Sequence, residues 1–441
     1  MAVRRLHASA PAGLLAAAAL TFAVPSRAAD DPLRLRELHY RTNLLERHVS
    51  PEGIVLYRVN PSRIAREVRE GRYPLLADAP TFTGQWATGA CLRAGYSRGA
   101  AREQALDDAS RALGGLEALS AVTGVPGLYA RTLRRAPPPS GAPGRWFRGR
   151  RRGSAYFWRG DVSMDQYANG VLPALWACRA LFPERTRRAA VALADHLLAN
   201  GLHLVDPDGR PTRFGDLSPR AGAGLNSIAM LTGYAAFSLA ARLDPAPVYR
   251  RERDRLRDRE RVPARARVTN LRFFGRAKRS NDLMAWDLLR VLVPLARETR
   301  DPALGDLRHA LFSTWLRVRA DGNAYFAILF CRIEPESCDG SALRAARDQL
   351  EHFPLTRLRA RVEPGLERLP RAWLPDRRGR RRARDPVPIG LRAPSSFEWK
   401  SDPYRLVQGV APHTEYSGLD FLVAYWAYRS LPRVRGEEPL R

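Results

Sequence analysis

The chain has 441 residues and a formal net charge of +28, with 27% charged and 9% aromatic residues. Such a length can bury a large core. The charge points first to nucleic acid, but Lys278 and Lys400 are the two lysines and the rest of it is arginine. No nucleic-acid motif accompanies it, so the bias is that of a GC-rich genome and no nucleic-acid partner is expected; anionic polysaccharide or a membrane surface remains compatible with it.

In chain order, Arg4 and Arg5 precede an apolar run of about a dozen residues at 13–24, and the small residues Ser26 and Ala28 follow. This is the pattern of a cleavable signal peptide over 1–28. The run is shorter than the roughly 20 apolar residues that span a bilayer, and no later stretch reaches that length. An uncleaved anchor is the alternative. Residues 29–441 are therefore expected to form a single domain, secreted or periplasmic, without a transmembrane segment.

Residues 85–96 and 101–122 read as a first helix pair. In the second member Ala105, Ala109, Ala112, Leu113, Leu116 and Leu119 recur at helical spacing, and the breakers at 124–127 stop it. Residues 134–152, rich in Pro, Gly and Arg, read as a loop. A second pair covers 164–181 and 185–200. Residues 202–214, centred on Asp208-Gly209, carry a β-hairpin signal. Residues 226–243 are an apolar helix, and 249–261 alternate charges as an exposed helix does. Residues 282–296 and 304–318 form another pair, 377–384 a basic loop, and 415–429 the last helix. About ten to twelve helices in antiparallel pairs, without a strict repeat period, give an all-α chain. Its economical architecture is an α/α toroid with a cleft at one mouth; an α-solenoid is the alternative.

Cys331 and Cys338 bracket a short polar loop and could pair in an oxidising compartment. Cys91 and Cys178 lie in apolar helical stretches and read as buried packing thiols. No Cys/His cluster has zinc spacing. The Asp206-Pro207-Asp208-Gly209 stretch lacks the fuller ligand series of a calcium loop and reads as a turn. No metal and no cofactor are expected.

The strongest local signal runs from Trp158 to Tyr167, with Gly170 after it. Asp161 and Asp165 are four apart around a helix start, where the positive helix end stabilises carboxylates. Trp158 and Tyr167 could stack on a sugar ring. Equally, Ser163 and Gln166 fit a capping box, with Asp165 complementing the helix dipole. A second signal mixes Glu398, Asp402, His413, Glu415 and Tyr416 with aromatics in a loop that opens the last helix. That mixture suits a carbohydrate cleft; the alternative is that Thr414 or Ser417 caps the helix. Third, Asn281 and Asp282 start a helix that Ser280 or Asn281 could cap. Trp86 and Arg131 are weaker candidates, for core and cleft respectively.

Taken together, the GVPGLYAR, WRGDVSMDQY, SNDLMAWD and EYSGLDFLVAYWAYR stretches and the 204–219 hairpin resemble secreted bacterial proteins of the six-hairpin glycosidase-like superfamily. The resemblance spans roughly residues 80–430 and implies an (α/α)6 toroid with a minor β-hairpin. Such relatives include glycoside hydrolases, unsaturated glucuronyl hydrolases, epimerases and polysaccharide lyases, which place an Asp or Glu acid/base in a central cleft. No catalytic motif of a characterised family matches residue by residue, and fold does not fix reaction.

Hydrolysis of a glycosidic bond needs one carboxylic acid to protonate the leaving oxygen and a second carboxylate to activate water or attack. Asp165 is the acid candidate, with Asp161, Asp402 or Glu415 as partner. Trp86, Arg131, Trp158, Gln166, Tyr167, Asn281, Asp282, Glu398, His413 and Tyr416 are the binding candidates. The expected partner is a glycan or oligosaccharide, and the arginine excess favours an acidic one. A non-catalytic envelope or surface protein that binds glycan or a protein partner is the alternative. Lipid or isoprenoid chemistry on a toroid is a third reading, weakened by the absence of a DDxxD-type cluster.

Overall fold

The computed structural model describes residues 31–221, 226–267, 269, 279–359, 374–375, 381–383, 385–405 and 411–432. The segment read as a signal peptide and part of the basic 377–384 stretch lie outside them. Twelve helices of the described residues alternate between an outer and an inner layer. They are α1 (Pro32–Asn43), α2 (Ala79–Tyr96), α3 (Gly99–Ala121), α4 (Leu172–Cys178), α5 (Pro183–Ala199), α6 (Ser227–Leu243), α7 (Pro247–Asp254), α8 (Arg279–Thr299), α9 (Leu304–Val318), α10 (Ala324–Ile333), α11 (Gly340–Glu351) and α12 (Leu419–Arg429).

The even-numbered helices close a ring. α2 packs on α4, α4 on α6, α6 on α8, α8 on α10, α10 on α12, and α12 back on α2. The odd-numbered helices pack outside them, and α1 completes the outer layer against α12 and α11. This is an (α/α)6 toroid, and the solenoid alternative is excluded by the closure between α12 and α2.

Composition explains which helices go where. α12 buries every residue from Leu419 to Arg429, and α6 buries Ser227 through Ala240 without interruption. A helix apolar all round belongs inside. Outer α5 buries a stripe of Ala190, Leu193, Ala194 and Leu197, and α11 buries only Ala346 and Leu350. Starts are set locally. Asn226, Asn323 and Asp339 accept backbone N–H bonds at the beginnings of α6, α10 and α11, as capping side chains do. α12 begins after Gly418, whose φ is +69° and whose added Cβ would lie 2.3 Å from the Tyr40 ring.

The stretch 164–181 was expected to be one helix. It is instead a short turn, Met164–Gln166, then a π turn, Tyr167–Val171, then α4. The offset lets Gly170 meet Gly84 of α2 backbone to backbone: a Cβ on Gly84 would lie 2.3 Å from the Gly170 carbonyl.

Four small sheets of the described residues decorate the ring, and one of them, Leu374–Pro375 against Arg381–Arg382, corrects part of the expected 377–384 loop to strand. The expected hairpin forms from His203–Val205 and Pro211–Asp216. The 134–152 loop is corrected: Trp146–Arg151 pairs with Ser154–Arg159, which also pairs with Thr132–Arg134, because Tyr156 and Trp158 alternate inward. The expected helical start at Glu415 is also corrected, since Ala411–Tyr416 is a strand against Arg58–Val59 and Leu358–Arg359. All four cysteines pair. Cys331–Cys338 closes the α10–α11 turn, and Cys91–Cys178 joins α2 to the end of α4, Cα atoms 5.3 Å apart. The packing-thiol reading of Cys91 and Cys178 is thus wrong in one respect: the two buried thiols face each other across touching inner helices. No helix of the described residues is long and apolar enough to cross a membrane.

Candidate functional site

Because inner and outer helices alternate as antiparallel hairpins, all six inner helices start at the same mouth of the ring. Side chains link these starts. Gln166, ahead of α4, donates to the Ala77 carbonyl and to Asp78, the residue before α2, the latter at 3.3 Å. Asn226 of the α6 start lies 3.8 Å from the Met164 sulfur. Arg279 at the start of α8 pairs with Asp321, which accepts from the Tyr404 hydroxyl at 3.1 Å. Asn323 before α10 donates to the Trp399 carbonyl, and the Glu398 amide donates to Asp420 of α12.

Asp165 sits on this rim, partly exposed, in the first turn ahead of the π turn. The Ser163 hydroxyl donates to its Oδ1. No cation lies within ion-pair distance of it among the described residues. The capping box does not form, since Ser163 turns to Asp165 and Gln166 reaches across to Ala77 and Asp78. Asp78 was not singled out by the sequence. It is a quarter exposed and faces Arg131, whose Nη2 is 3.4 Å away. Arg131 also donates to the carbonyls of Ala77 (2.8 Å) and Asp161 (3.0 Å), so it ties the entries to α2 and α4 together.

Asp161 has a different occupation. Its backbone is left-handed, with φ of 61°. Its amide donates to buried Asp206, its carboxylate accepts from the Arg213 amide, and Arg145 lies 2.7 Å from Asp206 and 3.7 Å from Asp161. These bonds pin the loop to the 203–216 hairpin.

The 397–402 segment borders the same mouth. Tyr57 stacks on Phe82 at 4.2 Å, and Lys400 lies over the Phe82 ring at 5.5 Å. Asp402 is partly exposed and accepts from the Tyr404 amide. Glu398 is 2% exposed, and burial pushes it up to about 7 despite Arg392 at 3.4 Å. Glu415 lies at the periphery, 3.1 Å from His48 and 3.3 Å from Arg47. Burial raises it, but the His48 bond and the two charges prevail and hold it below the ordinary glutamate value. Tyr416 is buried beside it, whereas His413 is exposed on a lateral groove.

The expected rings are elsewhere. Trp86, Trp158 and Tyr167 are at most 1% exposed. Trp158 stacks on Phe147, and the Tyr167 hydroxyl donates to the Gly127 carbonyl. They fill the core and offer no face to a sugar. Asp282 is likewise buried, 2.8 Å from Arg317, while Asn281 is partly exposed inside α8, which already includes both residues read as its cap.

On the ring axis the structure adds a polar network. Gln85 Nε2 donates to Asp287 at 2.7 Å and to the Asn169 carbonyl; the Tyr325 hydroxyl donates to Asp287 at 3.1 Å; Arg290 pairs with Asp287 at 3.1 Å. Asp287 is fully enclosed, and burial pushes it up to about 6 against the pull of Arg290, Tyr325 and Gln85. A signal for part of this lay in the sequence: Asp287 and Arg290 are three apart inside an apolar helix. Beyond the network, at the opposite mouth, Trp176, Arg179, Arg290, Arg297 and Arg332 line a cavity of about 370 Å³. Among the described residues no cluster of His, Cys, Asp and Glu could hold a metal ion.

No family model matches the chain, and no curated protein matches it. Among solved structures, it is similar to a family 76 glycoside hydrolase from a bovine Bacteroides thetaiotaomicron strain. The TM-score is 0.49 at 11% identity, over 91% of this chain and 78% of that one.

Proposed function

We propose that the chain is an exported, glycoside-hydrolase-like carbohydrate-active protein that takes a glycan at the mouth where the inner helices start. One observation carries the reading. Asp165 is a partly exposed carboxylate on that rim without a cationic partner among the described residues, next to Gln166, whose amide reaches a second rim carboxylate, Asp78. Asp165 then serves as the general acid, and Asp78, positioned by Arg131 and Gln166, as the second carboxylate that acts on water or on the sugar. The basic composition extends the reading to acidic glycans, and the N-terminal segment to a secreted or periplasmic location.

Asp165→Asn keeps the size of the side chain and removes its proton. Turnover on a panel of neutral and acidic oligosaccharides is expected to fall by about 10²–10⁴-fold, the usual contribution of a general acid, with an unchanged circular dichroism spectrum. Full turnover by the variant would reject Asp165 as the acid. A second reading, glycan binding without cleavage, is favoured by the pairing of Asp78 with Arg131. Under it the wild type binds an oligosaccharide and cleaves none.

A further inference from the structure

Beside the mouth, between residues 58–75 and the Ala411–Tyr416 strand, lies a groove of about 530 Å³. Arg58, Arg63, Arg66, Arg72, Arg134 and His413 line it, against a single acid, Glu67. Arg134 is the telling residue. It is 5% exposed, and its Nε makes no hydrogen bond. Burial and the neighbouring Arg72 both lower its hold on its proton, and Glu67 opposes them. A buried guanidinium with unused donors is costly, and its planar fork matches an entering carboxylate.

We propose that this groove is an anion subsite that holds the carboxylates of an acidic glycan whose chain continues into the mouth. The proposal rests on the glycan reading above and assigns the groove its role. Chain segments run from one place to the other. Arg134 ends the strand that begins beside Arg131 of the rim, and Arg58 follows Tyr57, which stacks on Phe82. The exposed arginines Arg58, Arg63, Arg66 and Arg72 focus the potential on the groove. Pro74 and Leu75 supply apolar wall for a pyranose face. Single-stranded nucleic acid fits worse, because Tyr73 is 2% exposed with its hydroxyl donating to Glu52, so among the described lining residues His413 alone offers a ring and successive bases find no row of stacking platforms. A flat anionic membrane fits worse too, since only a group that enters the groove reaches Arg134.

The test is calorimetric titration of the whole protein with tetragalacturonate, a neutral tetrasaccharide, a thymidine oligonucleotide and vesicles of phosphatidylcholine with phosphatidylglycerol. Tetragalacturonate is expected to bind at least about tenfold tighter than the neutral sugar, the scale of a charged hydrogen bond. Arg134→Met should abolish that preference and leave neutral-sugar affinity unchanged. Should Arg134→Met fail to fold, the rim double variant Arg63→Gln/Arg66→Gln should still lower the preference and its salt sensitivity. Unchanged preference in the folded variants, or tighter binding of oligonucleotide or vesicles than of tetragalacturonate, overturns the proposal. Asp165→Asn separates the two claims: loss of turnover with retained tetragalacturonate binding supports both. An Arg134-dependent preference without any turnover keeps the subsite and removes the hydrolase. Turnover that depends on Asp165 but not on Arg134 removes the subsite alone.

Discussion

Asp287 gives the fold a pH signature that one substitution can isolate. Its carboxylate is 0% exposed, accepts from Gln85 and Tyr325 and pairs with Arg290, yet enclosure keeps it at about 6, above the ordinary 3.8. The folded chain therefore holds this proton more tightly than the unfolded chain does. The group's stabilisation is fully present below pH 3.8 and is lost as pH rises through 6. Linkage with these two values makes the wild type about 1.4 kcal/mol more stable at pH 5 than at pH 8 through Asp287 alone. Asp287→Asn cannot titrate. Its neutral amide stands beside Arg290 as the protonated carboxyl does, so the variant resembles the wild type at pH 5 more than at pH 8. Urea unfolding of both proteins at pH 5 and pH 8 reads the difference. Glu398, at about 7, and Asp108, at about 6, are common to both chains and cancel. The gap, taken as wild type minus variant, should rise by about 1.4 kcal/mol on acidification from pH 8 to pH 5. A gap that stays constant or falls would refute the reasoning, because it would mean that Arg290 holds Asp287 charged throughout.

The oxidised protein should be lighter than its reduced form by about four daltons, two for each of its bridges. Opening Cys91–Cys178, which spans 87 positions, should cost about 4–5 kcal/mol, against about 2.5 for the 7-position Cys331–Cys338 loop, from chain entropy; equal losses in single-bridge variants would contradict this. Gly84→Ala should destabilise by at least about 1–3 kcal/mol, since its methyl meets the Gly170 backbone at 2.3 Å and not a movable side chain. An unchanged melting temperature would show that α2 and the π turn are less tightly apposed.

What the sequence disclosed follows from how local each signal is. α9 runs over the expected 304–318, because its buried positions, Leu307, Ala310, Leu311, Thr314 and Val318, keep helical spacing. α10, AYFAILFCRI, is buried over nearly its whole length, so it shows no amphipathic period and was not foreseen. The Trp146–Arg159 hairpin hid because arginines occupy its outward positions and the run reads as polar loop. The π turn at Tyr167–Val171 hid because apolar helical residues flank it on the C-terminal side, and its Asn169-Gly170 pair alone does not distinguish a π turn from a tolerated break in one helix. At the candidate site, motif and helix-start position singled out Asp165 and Gln166, and Arg131 stood only as a weaker candidate. Asp78 was not singled out, because its role depends on Arg131 and Gln166, 53 and 88 positions away. Gln85 and Tyr325 meet across 240 positions, a contact only ring closure creates. The tryptophans misled because aromatic residues serve core and sugar equally well, and only burial separates the two uses.

The most direct test of the account is where an oligosaccharide binds. A crystal structure of Asp165→Asn soaked with a bound oligosaccharide should place a glycosidic oxygen within about 3 Å of the residue-165 side chain, at the mouth formed by the starts of the inner helices, with the sugar chain running toward Arg134. Sugar bound instead at the opposite mouth, in the cavity lined by Trp176, Arg179 and Arg290, would contradict it.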